Sequence, residues 1–377
     1  MIPFNKPYFT GNETNYIKKA VLSGHISGNG NYTKKCQEFF EKRYNFQKCL
    51  LTSSCSDALE MAAILSEIRN GDEVIIPSFT FVSTANAFIL RGAKVIFCDS
   101  RKDNPCIDET KIKELITNRT KAIVVVHYAG FACEMDKIME IALENNLIVI
   151  EDAAQAIDGF FIGKNGIKKP LGSIGHLATF SFHETKNIIS GEGGMLIVND
   201  EKFNERAEII WEKGTNRSKF FRGEVDKYGW VDIGSSFLPS DIIAAFLWAQ
   251  IENLDKIQFR RIEIWNSYYS GLKDWATLND VKLPHKPFFS TNNAHMFYLI
   301  LNNLEQRNKF INELKSKNIH SVFHYQGLHK SDFFKNEYVG KDLLNCDKYS
   351  DCLVRLPFFF ELNNKLVIDE IVKIGTI

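Results

Sequence analysis

Three short segments of this chain place polar side chains directly after apolar runs that are typical of buried strands. The first covers residues 52–56 (TSSCS), the second ends in Glu151-Asp152, and the third carries Lys186. Small polar residues at the start of a helix expose backbone N–H groups at the positive end of its dipole, which suits a phosphate. Taken alone, residues 52–56 are more often an ordinary helix cap.

The second and third segments carry opposite charges. The acid pair Glu151-Asp152 is costly to bury unless a positive group meets it, and a protonated ring nitrogen or a lysine would do so. A salt bridge or a helix cap is the ordinary alternative. Lys186 precedes a glycine-rich turn at 191–194 (GEGG). In a cleft, desolvation lowers the pKa of a lysine and frees its amine for Schiff-base chemistry, whereas most lysines are simply solvated.

Together, the three segments could meet a phosphate, a ring nitrogen and an aldehyde. These are the three functional parts of pyridoxal 5′-phosphate, which we therefore predict as the cofactor. Asp152 and Lys186 are far enough apart in the sequence to lie on separate elements, so they could converge in one cleft.

The elements that must position these residues alternate along the chain up to about residue 200. Apolar strand-like runs cover 48–53, 73–76, 93–98, 121–126, 147–150, 177–182 and 195–198. Apolar residues three and four apart predict helices over 57–68, 80–90, 107–116 and 135–145. Buried strands separated by helices indicate a mostly parallel sheet covered on both faces, with ligands beyond the carboxyl ends of the strands.

The second half of the chain changes character. Residues 240–270 are rich in helix formers and predict one long connecting helix, and the remainder alternates strands and helices. We therefore predict an α/β protein with a large domain over residues 1–245 and a smaller α+β domain over residues 246–377.

Composition excludes several classes of function. The chain has 377 residues, with 46 basic and 46 acidic side chains, and this zero net charge argues against broad nucleic-acid binding. The most apolar stretch, 122–133, is too short to span a bilayer. The eight cysteines of the chain form no CxxC pair and no spacing typical of a zinc site, so we predict no metal site. Residues 1–11 lack an export signal, so we expect a cytoplasmic protein with free thiols.

Longer motifs resemble the sugar-nucleotide aminotransferases of the DegT/DnrJ type, which are fold-type I enzymes that use pyridoxal phosphate. The resemblance covers nearly the whole chain. The motifs that carry it are GDEVIIPSFTFVSTANA (71–87), VIEDAAQA (149–156), SFHETKN (181–187), GEGG (191–194) and HYQGLH (324–329).

This resemblance implies roles for individual residues. Lys186 would form the Schiff base with the cofactor and carry protons, and Asp152 would pair with the ring nitrogen. Opposite charge should then lower the pKa of Asp152. The other implied contacts, which run from the ring to the phosphate, are Phe81, Gln155, Ser181, Cys55 and Ser56. Many family members carry Asn in a GxN segment that reaches the partner subunit's phosphate, but here 234–236 reads GSS, so only Ser236 could donate there.

The resemblance also implies a substrate and an assembly. It is strongest to carbon-4 transaminases, through segments such as EKGTNRS (212–218), so we expect a dTDP-linked 4-keto-6-deoxyhexose and glutamate. The product would be a 4-amino sugar of galactose or glucose configuration for cell-surface polysaccharide, and the enzyme a homodimer with shared active sites. The basic residues expected to meet the diphosphate are Lys213, Arg217 and Arg222. The residues expected to border the sugar are His324, Tyr325 and His329.

Other functions stay open at this stage. Amination at carbon 3 is the main alternative, since related family members act there. A dehydratase of the same fold replaces the lysine with histidine, and Lys186 disfavours it. A non-enzymatic regulator would need a basic DNA-binding segment, which the sequence lacks. No GxGxxG motif follows a strand, which disfavours a dinucleotide-binding protein.

Overall fold

The structure, a computed structural model, describes residues 1–375. Its strands are β1 (Lys48–Thr52), β2 (Glu73–Pro77), β3 (Lys94–Cys98), β4 (Thr120–Val126), β5 (Ile148–Asp152), β6 (Phe160–Ile162), β7 (Lys168–Pro170), β8 (Leu177–Ser181), β9 (Gly194–Val198), β10 (Tyr298–Ile300), β11 (Val322–Phe323) and β12 (Leu353–Arg355). Its α-helices are α1 (Glu13–Leu22), α2 (Asn31–Tyr44), α3 (Cys55–Leu65), α4 (Val82–Ile89), α5 (Met135–Glu144), α6 (Asn204–Trp211), α7 (Arg217–Phe221), α8 (Asp241–Ile251), α9 (Leu254–Leu278), α10 (Leu304–Ser316), α11 (Leu344–Cys352) and α12 (Asn364–Val372).

A seven-stranded sheet forms the centre of the protein, in the order β1-β9-β8-β5-β4-β2-β3. The pairs β2–β3, β2–β4, β4–β5 and β5–β8 are parallel, and β9 runs antiparallel to both of its neighbours. The strands β2, β4 and β9 are almost entirely buried, as expected for a sheet covered on both faces. The predicted mostly parallel α/β fold is therefore confirmed.

The glycine-rich turn shapes the place where β9 meets α3. Gly194 pairs with Thr52 of β1, and a Cβ at Gly194 would lie 2.4 Å from the backbone N of Cys55. Because only glycine tolerates this approach, the turn lets the start of α3 pack directly against the sheet.

The region predicted as a helix over 107–116 forms two single 3₁₀ turns instead, Glu109–Lys111 and Lys113–Leu115. Here the Asp108 carboxylate accepts hydrogen bonds from the N–H and the hydroxyl of Thr110, at 3.1 and 2.6 Å. Such local side-chain bonds compete with the helical backbone pattern, which explains why the prediction was wrong.

The single long helix predicted over 240–270 is also wrong, because α8 and α9 are separate. The break lies at Asn253, whose side-chain amide donates to the carbonyl of Ala249 at 3.0 Å. A continuous helix would use that carbonyl for the Asn253 backbone N–H, which instead bonds Gln250. The side chain thus ends one helix and the next begins directly after it.

The C-terminal part contains an antiparallel sheet in the order β10-β12-β11, with α10 and α11 beside it. The N-terminus joins this part, since Ile2 forms a bridge with Ile319. These elements confirm the predicted smaller α+β portion. The domain boundary placed near residue 245 falls within α8 and stays a prediction. Over residues 1–375, no helix is both long enough and apolar enough to cross a membrane.

Candidate active site

A cavity of about 520 Å³ lies at the carboxyl ends of the parallel strands. It brings together every predicted cofactor contact except Ser236, namely Cys55, Ser56, Phe81, Asp152, Gln155, Ser181 and Lys186. His324 and Tyr325 from the C-terminal motif line it too. The three polar segments identified in the sequence therefore do meet in one place.

One end of the cavity is formed by the first turn of α3. The Ser54 hydroxyl caps this helix by accepting the backbone N–H of Asp57 at 3.0 Å. Among residues 1–375, the backbone N–H groups of Cys55 and Ser56 have no hydrogen-bond partner. Free N–H groups at the positive end of a helix dipole form a ready site for a phosphate.

The acid pair at the end of β5 divides between the two faces of the sheet, because successive side chains of a strand point in opposite directions. Glu151 is fully buried and contacts His127 Nε2 at 2.8 Å, and it also accepts backbone N–H groups of Gly172 and Ile174. Burial raises the pKa of Glu151, but these bonds outweigh it and leave the pKa lowered. Glu151 is thus the structural member of the pair.

Asp152 faces the cavity. It accepts hydrogen bonds from the Thr84 hydroxyl at 2.7 Å and from the backbone N–H of Ala154 at 3.1 Å. In the chain alone, burial raises the pKa of Asp152 above its usual value, although these bonds and the charge of Lys186 oppose it. The lowered pKa expected of Asp152 applies to a carboxylate that faces a protonated ring nitrogen, and it stays a prediction.

Lys186 follows β8 and lines the same cavity. Burial lowers its pKa, as predicted, and the positive charge of Arg355 acts in the same direction. A lysine with a lowered pKa is more often neutral at physiological pH, so its amine can attack a carbonyl carbon.

Aromatic side chains form part of the cavity wall. Gln155 receives the backbone N–H of Ala129 at 2.7 Å, and its amide donates to the hydroxyl of Tyr325 at 3.3 Å. His324 lies against Tyr325, with ring centroids 3.5 Å apart, and contacts the Tyr128 hydroxyl through Nδ1 at 2.8 Å. Gln155 is thereby fixed at both ends, which orients its side chain in the cavity.

The structure adds lining residues that sequence reasoning missed, chiefly Thr84, His295 and Arg355. Thr84 belongs to the recognised motif 71–87, so its hydroxyl was a detectable signal. Arg355 is the one charged residue in the apolar run 352–360 (CLVRLPFFF), and this was the sequence signal available for it. No sequence signal pointed to His295, because it follows an irregular segment. In the structure, His295 donates a hydrogen bond to Asn187 Oδ1 at 2.7 Å.

Several residues predicted from the sequence do not line this cavity. His329 is buried outside it, with Ser78 Oγ 2.8 Å from Nδ1 and Asp347 3.2 Å from Nε2. Ser236 is exposed and forms an isolated antiparallel β-bridge with Glu212. Three predicted diphosphate contacts are exposed and lie outside the cavity of their own chain, namely Lys213, Arg217 and Arg222. Their predicted roles stay predictions.

The sequence profile of the DegT/DnrJ/EryC1/StrS aminotransferase family matches residues 7–374 of this chain. The chain is 32% identical to a GDP-perosamine synthase of Escherichia coli O157:H7, over 97% of this chain and 96% of that protein. It is 28% identical to the spore coat polysaccharide biosynthesis protein SpsC of Bacillus subtilis, over 98% of this chain and 95% of that protein.

A similar solved structure is that of a putative sugar aminotransferase, Spr1654 from Streptococcus pneumoniae, in its PMP-form. It superposes with a TM-score of 0.88 at 25% identity and covers 99% of both chains. The same protein is known in a PLP-form. These matches confirm a transaminase that depends on pyridoxal phosphate.

Proposed function

We propose that this chain, which belongs to the DegT/DnrJ/EryC1/StrS aminotransferase family, moves an amino group from glutamate to carbon 4 of a dTDP-linked 4-keto-6-deoxyhexose. The product would be a dTDP-4-amino-4,6-dideoxyhexose for cell-surface polysaccharide. The observation that carries this proposal is the convergence of Lys186 and Asp152 on one cavity with the free first turn of α3.

The polar groups of this cavity fit pyridoxal phosphate at both of its ends. The unpaired N–H groups of Cys55 and Ser56 match a phosphate, and Ser181 adds a hydroxyl to the same cavity. The carboxylate of Asp152 matches a protonated ring nitrogen. When bound, the cofactor supplies an aldehyde carbon and an electron-accepting ring, through which an amino group passes between two carbon skeletons.

The other roles in the reaction are assigned to individual residues of the cavity. Lys186, with its lowered pKa, would hold the cofactor covalently and, as a neutral amine, would carry a proton between substrate atoms. Asp152 would keep the ring nitrogen of the cofactor protonated. Phe81, which is 56% exposed, and Gln155 both line the cavity, where Phe81 would pack against the cofactor ring and Gln155 would hold its hydroxyl group. The aromatic pair His324 and Tyr325 would border the sugar.

The nucleotide has a second candidate. The relative from E. coli is named for a GDP-sugar, which favours a GDP-linked keto sugar as the alternative to dTDP. The resemblance of EKGTNRS (212–218) to carbon-4 transaminases supports dTDP and carbon 4. A 3-keto isomer, aminated at carbon 3, is the other alternative for the sugar.

The segment 213–236 supports a homodimer in which each chain completes its partner's site. Trp230 is 84% exposed and Phe221 68%, and apolar residues grouped in this way mark interaction surfaces. The same segment carries Lys213, Arg217, Arg222 and Ser236, all outside their own chain's cavity. From the partner, these groups would meet the nucleotide diphosphate and the cofactor phosphate. Light scattering should give a dimer, and an active monomer would contradict it.

Product analysis tests the proposed reaction. The purified enzyme is incubated with ¹⁵N-glutamate and, in turn, dTDP-4-keto-6-deoxyglucose, its 3-keto isomer and a GDP-4-keto-6-deoxyhexose. NMR then locates the labelled nitrogen in the product, and Lys186→Ala serves as the inactive control. Label at carbon 4 of the dTDP sugar supports the proposal. A preference for the GDP sugar would overturn the nucleotide assignment, and label at carbon 3 would overturn the position.

A further inference from the structure

His329, the last residue of the motif HYQGLH (324–329), is buried outside the active-site cavity and contacts the large sheet region. Its Nδ1 lies 2.8 Å from Oγ of Ser78, the residue that directly follows β2. The backbone N–H groups of Leu328 and His329 donate to the carbonyl oxygen and to Oγ of the same serine, at 2.9 and 3.2 Å. Ser78 therefore holds the end of the motif through three contacts.

The other side of the His329 ring faces α11 of the C-terminal part. Oδ1 of Asp347 lies 3.2 Å from Nε2, and its negative charge favours a proton on that nitrogen. Burial lowers the pKa of His329, although Asp347 opposes this, so the ring is neutral at physiological pH and carries only one proton. Nδ1 is therefore an acceptor, and the Ser78 hydroxyl donates to it. The neutral ring thus connects α11 to the end of β2.

The junction of Ser78 and His329 lies between two parts of the cavity wall. Tyr325, four residues before His329, belongs to one part. The other part comes from side chains within residues 80–84, which follow Ser78 after a single residue, Phe79. Phe79 packs against Tyr325, with ring centroids 5.7 Å apart. The bond between Ser78 and His329 therefore fixes the two parts of the wall relative to each other.

We infer that His329 is a positioning residue whose bond to Ser78 holds His324 and Tyr325 in place beside the keto sugar, an inference that rests on the proposed function. His329 does not line the cavity, so it acts through the motif that it ends and not by touching the sugar. A well-packed interior has low compressibility and transmits displacements. A shift at His329 should therefore reach Tyr325 if the chain between them is tightly packed.

The chain between Tyr325 and His329 meets this condition. The backbone N–H of Gly327 donates to Oγ of Ser350 on α11 at 2.9 Å. A Cβ at Gly327 would lie 2.8 Å from Sγ of Cys346 and 3.0 Å from Cε1 of His329, so this position has no room for a side chain. The segment is enclosed by α11 and by the His329 ring, and it cannot absorb a displacement locally.

The cofactor contacts should not depend on this junction, because they come from other elements. Cys55 and Ser56 belong to α3, Asp152 ends β5, and Lys186 follows β8. Gln155 keeps its 2.7 Å hydrogen bond from a backbone N–H. Loss of the junction should therefore weaken the use of the keto sugar and leave the cofactor bound.

Hydrogen–deuterium exchange of the holoenzyme tests the junction without any substrate. In Ser78→Ala and in His329→Ala, the backbone amides of residues 327–329 should exchange about 5- to 10-fold faster than in the wild type, because hydrogen bonds of the junction are lost. His176→Ala is the matched control, since Nδ1 of His176 also accepts a hydrogen bond, from the Val149 N–H at 2.9 Å, at the opposite end of the sheet. It should leave the exchange of this segment unchanged.

Stopped-flow absorbance then follows the half-reactions with glutamate and with the keto sugar separately. Ser78→Ala and His329→Ala should lower the second-order rate constant for the keto sugar by about 10- to 100-fold, since small displacements of binding groups slow a reaction strongly. The rate constant for glutamate should change little. The double variant should be no slower than the slower single variant, because both changes remove one shared contact.

Two conservative variants identify which ring nitrogen carries the role. The amide of asparagine lies near the position of Nδ1, and the amide of glutamine lies near that of Nε2. His329→Asn should therefore keep the bond to Ser78 and most of the rate with the keto sugar. His329→Gln, whose amide reaches toward Asp347 instead, should lose as much as His329→Ala.

Four outcomes would overturn the inference. Unchanged amide exchange in Ser78→Ala and His329→Ala would show that their bond does not hold the motif. Equal losses with glutamate and with the keto sugar would make His329 a general structural residue. Additive losses in the double variant would mean that the two residues act separately, and rescue by His329→Gln alone would assign the role to Asp347. If the wild-type enzyme accepted no keto sugar, the proposed function would fail instead, while the exchange data would still decide whether the junction holds the motif.

Discussion

The hydroxyl of Thr84 donates a hydrogen bond of 2.7 Å to Oδ2 of Asp152. Thr80 Oγ1 lies 2.9 Å from Thr84 Oγ1, and because the single hydroxyl proton of Thr84 is already used, Thr80 must donate to it. Both threonines are buried. This chain of donors stabilises the ionised form of Asp152 against the burial that raises its pKa.

Thr84→Val should therefore raise the pKa of Asp152 further. It keeps the shape of the side chain but removes the donor, and a hydrogen bond to a charged group contributes about 1.5–3 kcal/mol, or roughly 1 to 2 pKa units. The acidic limb of the profile of kcat/KM against pH should move upward accordingly. Thr84→Ser, which keeps the hydroxyl, should leave the limb in place. An unmoved limb in Thr84→Val would show that this hydrogen bond does not tune Asp152.

Asp152→Asn should retain part of its cofactor but lose activity by about 100-fold or more, since a neutral amide cannot keep the ring nitrogen protonated. The amide is of similar size and still accepts from Thr84, so the fold should persist. Steady-state turnover and the absorbance of bound cofactor measure the two effects separately. Near-normal turnover with full cofactor would contradict the role of Asp152.

The basic residues of the segment 213–236 should differ in their effect. Arg222 is paired with Glu208 at 2.9 Å and with Glu224 at 2.6 Å. Among residues 1–375, Arg217 forms no ion pair, and its guanidinium lies 5.1 Å from the ring centroid of Phe221. Because Arg217 is free to meet an anion, Arg217→Gln should raise KM for the sugar nucleotide by about 10-fold, and Arg222→Gln by less. KM for glutamate should stay unchanged, and equal increases for both substrates would refute a diphosphate contact.

His295 should make the protein less stable in mild acid. Burial and the charges of Lys186 and Arg261 lower its pKa, so it stays neutral in the folded protein. In the unfolded chain its pKa is about 6.5. The unfolded chain therefore binds more protons below about pH 6.5, and stability falls as the pH drops. The Tm of the wild type should fall more between pH 7.5 and 5.5 than that of His295→Gln. Equal decreases would assign the acid sensitivity to other groups.

The sequence was sufficient for the central sheet, because buried apolar strands and helical spacing are both local signals. It failed where a single side chain decided the local structure. Asp108 replaces a predicted helix with 3₁₀ turns, and Asn253 splits one helix into two. Such competition between a side chain and the backbone depends on which conformation the neighbours allow, and the apolar pattern does not record it.

In the candidate site, too, some residues could be predicted from local sequence signals and others could not. Residues in contiguous motifs, such as Asp152 and Lys186, were recognised and do meet. Arg355 and His295 come from elements distant in the sequence, and they reach the cavity only because β12 and the segment before β10 pack against the large sheet region. Arg355 stands out because its buried Nε has no partner among the described residues, and His295 because it is buried in the cavity wall. Both properties belong to the folded chain alone.

Borohydride reduction of the holoenzyme, followed by peptide mapping, tests the central claim most directly. The claim is that the cavity around Lys186 is the active site and that this lysine holds the cofactor. The reduced adduct should be found on the peptide that contains Lys186, and Lys186→Ala should carry no adduct and show no turnover. An adduct on another lysine, or normal repeated turnover by Lys186→Ala, would contradict the account.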